Sequence, residues 1–149
     1  MKKLIESGIT DFFIFENSCH GYPDIDEKYD SCIGLSKRYV FYNLTSDSMS
    51  VRKFGNCGLF KEKEKRVSIG SMKLFHQNRS VIKKEEFQSK AISFHGCYVR
   101  LFEINNRKLV MSKGYADFMV DLNKKYEKSN KELITYKLLT GLRMELSKL

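Results

Sequence analysis

Two short segments of the chain each hold a cysteine and a histidine within three residues, and these residue types bind zinc or form a reactive thiol pair. The tripeptides CHG at residues 19–21 and HGC at residues 95–97 are near mirror images. Neighbouring side chains on an extended chain point to opposite faces, so Cys19 and His20 are poorly placed to bind one ion. We therefore expect no metal and no cofactor, and reduced thiols in a cytoplasmic protein. The ligands of the zinc alternative would be Cys19, His20, His95 and Cys97.

Cys32 and His95 carry a second chemistry, that of a thiol hydrolase. Cys32 follows Asp30, which can cap a helix, and His95 lies at the head of a predicted hairpin. Papain-like cell-wall amidases look similar, because they place a cysteine at a helix start and a histidine on a later strand, which lowers the thiol pKa. However, the segment RYVFYNL after Cys32 alternates like a strand, and no third residue orients His95. We expect no catalytic residues and keep the papain-like hydrolase as an alternative.

The charge of the chain is divided between an acidic N-terminal segment, residues 1–36, and a basic remainder. Residues 1–32 hold three lysines against seven acids, a net charge of −4 within the overall +9, so the rest of the chain carries +13. A basic body favours a phosphate-bearing or acidic partner, and the acidic segment is predicted to shield it. No apolar run reaches the roughly 20 residues of a membrane span, so we expect a cytoplasmic protein, peripheral if it meets a membrane.

The element that must position this charge is the segment KRYVFYNLTSDSMSVRKFG, residues 37–55. Its alternation predicts a hairpin with a four-residue turn at residues 45–48, in which Tyr42 faces Val51 and Val40 also faces the core. Its positive charges then cluster at the end away from the turn, near the basic connection that follows. We predict that both groups form one rim that binds an anionic partner: Lys37, Arg38, Arg52, Lys53, Lys61, Lys63, Lys65 and Arg66.

The segments on either side of this hairpin have weaker patterns. DFFIFEN at residues 11–17 alternates as a strand, and residues 18–36 have the composition of a loop. Residues 66–75 alternate as a strand with a kink near Gly70, and the polar residues 76–90 predict a loop with a helical turn around residues 83–88. No long helix is therefore expected before about residue 115.

A second hairpin is predicted from residues 91–104 and 107–112. The dipeptide at residues 105–106, Asn-Asn, suits a two-residue turn that needs positive φ. This register sets Glu103 opposite Lys108, where the two side chains would form a cross-strand ion pair.

From Ala116 the apolar period changes to that of a helix. One helix is predicted over Ala116–Lys128, and a second is capped by Ser129-Asn130. The second helix contains Gly141, which is unfavourable there, so close packing is expected to require it. Its apolar stripe consists of Ile134, Leu138, Leu142, Leu146 and Leu149.

The order of these elements predicts one α+β domain over residues 1–149. A curled antiparallel sheet or sandwich of about six or seven strands, mainly in residues 37–112, is followed by one or two helices in residues 115–149. A C-terminal helix of this kind can plug the open end of a curled sheet.

Two segments resemble a pleckstrin-homology-like domain. They are residues 37–41 (KRYVF), followed by residues 49–51 (MSV), and residues 102–126, which run from a hairpin into a helix. The resemblance implies a curled sandwich capped by a helix, and a non-enzymatic binding module that docks on an acidic protein surface or on anionic phospholipid head groups. The chain departs from the family in three ways: it has no tryptophan, residues 18–36 are acidic where the family binds phosphoinositides, and a second helix is predicted beyond the family's usual end.

Two other classes of function stay open. Tyr39, Phe41 and Phe54 beside Arg52 suit the stacking of bases over a basic groove, which would make the chain a small nucleic-acid-binding protein. A pathogen or phage inhibitor with one protein target is the other.

Overall fold

The computed structural model describes residues 2–20, 37–43, 48–54, 64–88, 96–117 and 125–149. The strands in these ranges are β1 Phe12–His20, β2 Lys37–Tyr42, β3 Met49–Phe54, β4 Lys65–Val67, β5 Gly96–Asn105 and β6 Lys108–Ala116. The helices are α1 Lys2–Glu6, α2 Gly70–Lys84, α3 Glu127–Glu132 and α4 Ile134–Leu146. All six described strands form one antiparallel sheet in the order β4-β3-β2-β1-β5-β6, which is not closed into a barrel. The predicted α+β class, with helices after the sheet, is confirmed.

Strand β1 lies inside the sheet, between β2 and β5. Its apolar side chains alternate between the two faces of the sheet. Phe13 and Phe15 belong to the core beneath α2 and α4, which we call the helix side, and Phe12 belongs to a separate cluster on the opposite surface, which we call the outer face. The acidic N-terminal segment is therefore not an appendage to the sheet, because it contributes an inner strand. Removing residues 17–31 would shorten that strand.

The helix side is closed by α2 and α4, which pack on the sheet and on each other. Gly141 of α4 lies against Ser71 of α2, and a Cβ atom at Gly141 would collide with the Ser71 hydroxyl. The prediction that close packing requires this glycine is confirmed. The largest fully buried side chains on this side are Phe15, Phe41, Met72, Phe75, Ile82, Leu101, Leu138, Leu139, Leu142 and Leu146.

Helix α2, Gly70–Lys84, replaces part of the strand predicted for residues 66–75 and part of the loop predicted for residues 76–90. Strand β4 ends at Val67, and the buried residues of α2 are Met72, Phe75 and Ile82. Their spacing fits a helix with a kink at Asn78, whose φ and ψ are −123° and 17°. The apparent alternation across residues 66–75 arose because the pattern bridged the end of a strand and the start of a helix.

The first hairpin differs from its predicted register by one residue. Phe41 lies opposite Val51 and Tyr42 lies opposite Ser50, whereas Tyr42 was predicted to face Val51. Because side chains alternate, this shift puts Phe41 on the helix side and Tyr42 on the outer face. Asn43, at the end of β2, has a φ of 51°, in the left-handed region that asparagine tolerates.

The second hairpin is confirmed from Gly96 onward, while residues 91–95 of its predicted first strand lie outside the described residues, and its turn lies one residue later than predicted. Asn106 and Arg107 have φ angles of 48° and 64°, and Asn105 pairs with Lys108. Glu103 consequently lies opposite Met111 rather than Lys108. The predicted Glu103–Lys108 ion pair is wrong.

Glu103 is instead bound by α2. The Nε and Nη2 atoms of Arg79 donate to its carboxylate at 3.0 and 3.1 Å, and the Glu103 side chain is only 10% exposed. This fork ties α2 to β5.

Residues 118–124 of the helix predicted over Ala116–Lys128 lie outside the described residues, and α4 begins at Ile134, later than the predicted cap at Ser129-Asn130 implies. Strand β6 continues to Ala116, where a helix was expected to begin. Ser129 and Asn130 lie within α3, so they do not cap α4. The apolar stripe of α4 is confirmed, since Leu138, Leu142 and Leu146 are buried.

The N-terminus of α4 is capped by Glu85, which follows α2. Its carboxylate accepts the backbone N–H groups of Ile134 at 3.0 Å and Thr135 at 2.7 Å, and the Thr135 hydroxyl at 2.7 Å. Burial opposes ionisation, but the hydrogen bonds from Thr135 and Ile134 lower the pKa of Glu85 below its ordinary value. The cap therefore joins the two long helices.

Candidate binding face

The outer face is the surface of the sheet that α2 and α4 leave uncovered. Among the described elements, α1 packs on it, where Leu4 joins Phe12, Val40 and Tyr42 in a small apolar cluster. These residues lie toward the end of the sheet where β1 begins. The other end of the outer face carries polar and aromatic side chains.

Four arginines lie on the outer face, one on each of four strands. Directly opposed residues of an antiparallel pair share a face. The register therefore places Arg38 and Arg100 on either side of Glu16, Arg52 beside Val40, and Arg66 beside Ser50. The arginines on this face are Arg38, Arg52, Arg66 and Arg100.

Glu16 lies at the centre of one cross-strand row on this face. Arg38 Nε donates to Glu16 Oε1 at 2.7 Å, and the two side chains are 30% and 10% exposed. Arg100 lies on the other side of Glu16 and is exposed. With one carboxylate between two guanidinium groups, the row keeps a net positive charge.

Arg100 is stacked on an aromatic ring. Its guanidinium carbon lies 4.4 Å from the centre of the Tyr98 ring, within the range of a cation–π contact. Tyr98 is half-buried on the same face, opposite Ser18. The planar guanidinium group of Arg100 therefore lies over the planar ring of Tyr98.

A recess of about 240 Å³ lies beside this pair. It exists because β6 carries small residues where it faces Arg100 and Tyr98. Gly114 lets Arg100 lie close to β6, since a Cβ atom there would lie 2.5 Å from the carbonyl oxygen of Val99 and 2.8 Å from Arg100 Cγ. The volume is below that of pockets that enclose drug-sized ligands, and it suits one planar group. The recess is lined by Tyr98, Arg100, Ser112, Gly114, Tyr115 and Ala116.

Glu64 organises the opposite edge of the outer face. Its carboxylate accepts the Ser50 hydroxyl at 2.6 Å and the Tyr42 hydroxyl at 2.5 Å. These two hydrogen bonds lower the pKa of Glu64, and the charges of Arg52 and Arg66 act in the same direction. Burial, followed by the bond to Glu64, raises the pKa of Tyr42 to about 12. Glu64 is thus ionised and offsets the arginines near it, so positive charge is more available around Arg100.

The predicted rim is divided between the two sides of the sheet. Arg38, Arg52 and Arg66 lie on the outer face, as described. Lys53 lies opposite Tyr39, and Lys65 lies opposite Val51, so both are on the helix side, as is Lys37 by alternation. Lys61 and Lys63 lie outside the described residues. The register therefore does not bring the described members together on one surface, and their role in binding stays a prediction.

Lys65 makes a contact of its own on the helix side. Its Nζ donates to the backbone oxygen of Leu149 at 3.1 Å. Arg66, by contrast, donates from Nε to the Ser48 hydroxyl at 2.8 Å on the other surface.

The aromatic residues proposed for base stacking are also divided. Tyr39 and Phe41 are 3% and 0% exposed in the helix-side core, so they cannot stack on a ligand. Phe54 lies on the outer face and is half-buried. Sequence reasoning missed Tyr98 and Arg100, although the alternation in YVRLFEI, residues 98–104, carries the signal.

Cys19 and Cys97 lie directly opposite each other on β1 and β5, and they form a disulfide across a Cα–Cα distance of 3.9 Å. The expectation of free thiols is wrong for these two residues, and a disulfide does not supply the thiolates of a zinc site. Within the described ranges, no group of three or more His, Cys, Asp or Glu could hold a metal. Cys32, Cys57 and His95 lie outside the described residues, so the thiol-hydrolase alternative stays a prediction.

A scan against protein-family models, a search of curated proteins and a search of solved structures each found no match. The resemblance to pleckstrin-homology-like domains therefore stays a prediction. None of the described helices is long and apolar enough to cross a membrane.

Proposed function

We propose that this chain is a non-enzymatic binding module that binds single-stranded nucleic acid on the outer face of its sheet. The observation that carries the proposal is the stacked pair of Arg100 and Tyr98 beside the recess over Gly114. Arg38 extends the same surface across the Glu16 row.

Single-stranded nucleic acids use both kinds of group that this surface offers. Their phosphates meet arginine side chains, and their unstacked bases stack on aromatic rings, each ring contributing about 1–3 kcal/mol. The net charge of +9 adds a long-range attraction that does not depend on sequence. Arg100 can contact a phosphate while a base enters the recess beside Tyr98.

Two other anionic partners fit the outer face less well. An anionic membrane or an acidic protein surface supplies negative charge but no bases to stack on Tyr98. Binding of an acidic protein surface through the lysines of the predicted rim, such as Lys37 and Lys53, is the competing hypothesis, and those lysines lie on the other side of the sheet.

The test is fluorescence anisotropy with a labelled single strand of about 12 nucleotides, within the range of site sizes known for single-strand binders. We expect binding at about 50 mM salt that weakens strongly at about 200 mM salt. An abasic strand of the same length keeps the phosphates but removes the bases.

Tyr98→Ala should weaken binding of the normal strand about tenfold and leave binding of the abasic strand unchanged. Equal weakening for both strands would mean that Tyr98 does not stack on bases. If the wild type ignores both strands at low salt, the proposal is wrong and an acidic protein surface becomes the better candidate.

A further inference from the structure

The tip of the β5–β6 hairpin exposes two basic and two apolar residues in succession. Arg107 and Lys108 are exposed, and Leu109 and Val110 are 59% and 37% exposed. The other large apolar side chains exposed in the described part of the chain, Val81 and Met144, do not neighbour another such residue in sequence. We call residues 107–110 the RKLV tip.

The RKLV tip is held in place by the segment that precedes β1. The backbone N–H of Asn106 donates to Asp11 Oδ1 at 2.7 Å, and that of Arg107 donates to the Thr10 oxygen at 3.1 Å. The positive φ angles of Asn106 and Arg107 match those of a tight two-residue hairpin turn. A surface fixed in this way loses little conformational entropy on binding.

An edge strand with exposed apolar residues can pair with a strand of another molecule, but two features of β6 prevent such pairing. Leu109 pairs with Ile104 and Met111 with Glu103, so Val110 is the extra residue of a bulge. Bulges and lysines on edge strands block pairing with a second sheet, and β6 has both. A second copy of this chain is therefore a poor occupant for the tip.

We propose that the RKLV tip docks on an anionic lipid surface. Leu109 and Val110 would enter the boundary between head groups and acyl chains, while Arg107 and Lys108 contact lipid phosphates. The carboxylate of Asp11 contacts the turn, and its one negative charge only partly offsets the positive charges of Arg107 and Lys108. Leu109 lies opposite Ile104 at the end of the outer face away from Arg100 and Tyr98, and the inference does not depend on nucleic-acid binding.

The first experiment is co-sedimentation with vesicles of phosphatidylcholine, with and without phosphatidylserine. We expect the wild type to sediment with the anionic vesicles. The double variant Leu109→Ser, Val110→Ser should have an affinity for these vesicles that is lower by about fivefold or more. Met144→Ser is the matched control, because Met144 is also 59% exposed but lies on α4. Circular dichroism would check that each variant is folded.

The second experiment uses the absence of tryptophan from the chain. Leu109→Trp introduces a single fluorophore at the tip, and Met144→Trp places one on α4. We expect the emission of Leu109→Trp alone to shift to shorter wavelength with anionic vesicles. The inference is overturned if the wild type does not bind anionic vesicles at low salt. It is also overturned if the serine variant binds as well as the wild type, or if Leu109→Trp shows no shift.

Discussion

The two surfaces of the sheet use charged residues for different purposes. On the helix side, Glu103 and Glu85 are held by several hydrogen bonds each, and they attach α2 and α4 to the rest of the fold. On the outer face, Arg100 is exposed and stacked on Tyr98, beside a recess. Carboxylates therefore position helices on one side of the sheet, whereas Arg100 on the other side remains accessible to a ligand.

This difference teaches that the number of charges says little about where a basic protein binds. When the hydrogen-bond partners of a carboxylate that joins two elements are removed, the fold loses stability, because the carboxylate stays buried without hydrogen bonds. An exposed arginine can be removed with little effect on stability. Stability and binding should therefore separate when the two surfaces are mutated.

The largest effect on stability is expected from the helix-side core. Phe75 is 1% exposed and meets Phe13 edge to face at 5.1 Å. Phe75→Ala should lower the free energy of unfolding by about 3–5 kcal/mol in urea titrations. Phe102→Ala, at a half-buried outer-face position, should cost about 1 kcal/mol. Equal losses would show that the outer face is a second core rather than an open surface.

Loss of the disulfide should have the next largest effect. Replacing both Cys19 and Cys97 by alanine releases a link between β1 and β5 that spans 78 residues of sequence. We expect a loss of about 2–4 kcal/mol in the free energy of unfolding. Reducing the wild type should lower its urea midpoint to a similar extent, and a midpoint unaffected by reductant would contradict the link.

The Glu85 cap should contribute a smaller and pH-dependent stability. Because its folded pKa is lowered, Glu85 stabilises the fold above the ordinary glutamate pKa of about 4.3, and this contribution is lost as pH falls through the lowered value. At neutral pH, Glu85→Ala should cost about 1–2 kcal/mol. The difference in the free energy of unfolding between Glu85→Ala and the wild type should become smaller at acidic pH.

Glu86→Ala is the control for this experiment, since Glu86 is the exposed neighbour of Glu85. Urea unfolding at neutral and acidic pH measures both variants. A gap that does not change with pH, or an equal loss for Glu86→Ala, would count against the cap.

The smallest effect on stability is expected where the effect on binding is large. Arg100→Gln should change the free energy of unfolding by less than about 0.5 kcal/mol. It should nevertheless weaken single-strand binding. The slope of the logarithm of the binding constant against the logarithm of salt concentration should become about 0.7 less negative, because one phosphate contact is lost. Lys137→Gln removes an exposed charge from α4 and serves as the control. If both variants bind equally, only net charge matters.

Local patterns determined the existence of several elements in this protein. The alternation of DFFIFEN predicted β1, the Asn-rich dipeptide predicted a tight turn close to its true position, and the leucine stripe predicted α4. These signals could be found in the sequence because a strand or helix imposes its period on residues close together in the chain. The α+β class followed from the order of the elements.

Tertiary structure alone decided which faces and which distant residues meet. A shift of one residue in the first hairpin moved Tyr39 and Phe41 into the core, since register depends on which surface the helices bury. The meeting of Arg38 and Glu16, and of Cys19 and Cys97, required β1 to lie between β2 and β5. Strand order is a long-range property that local periodicity does not encode, so the arginine-rich surface became visible only in the folded chain.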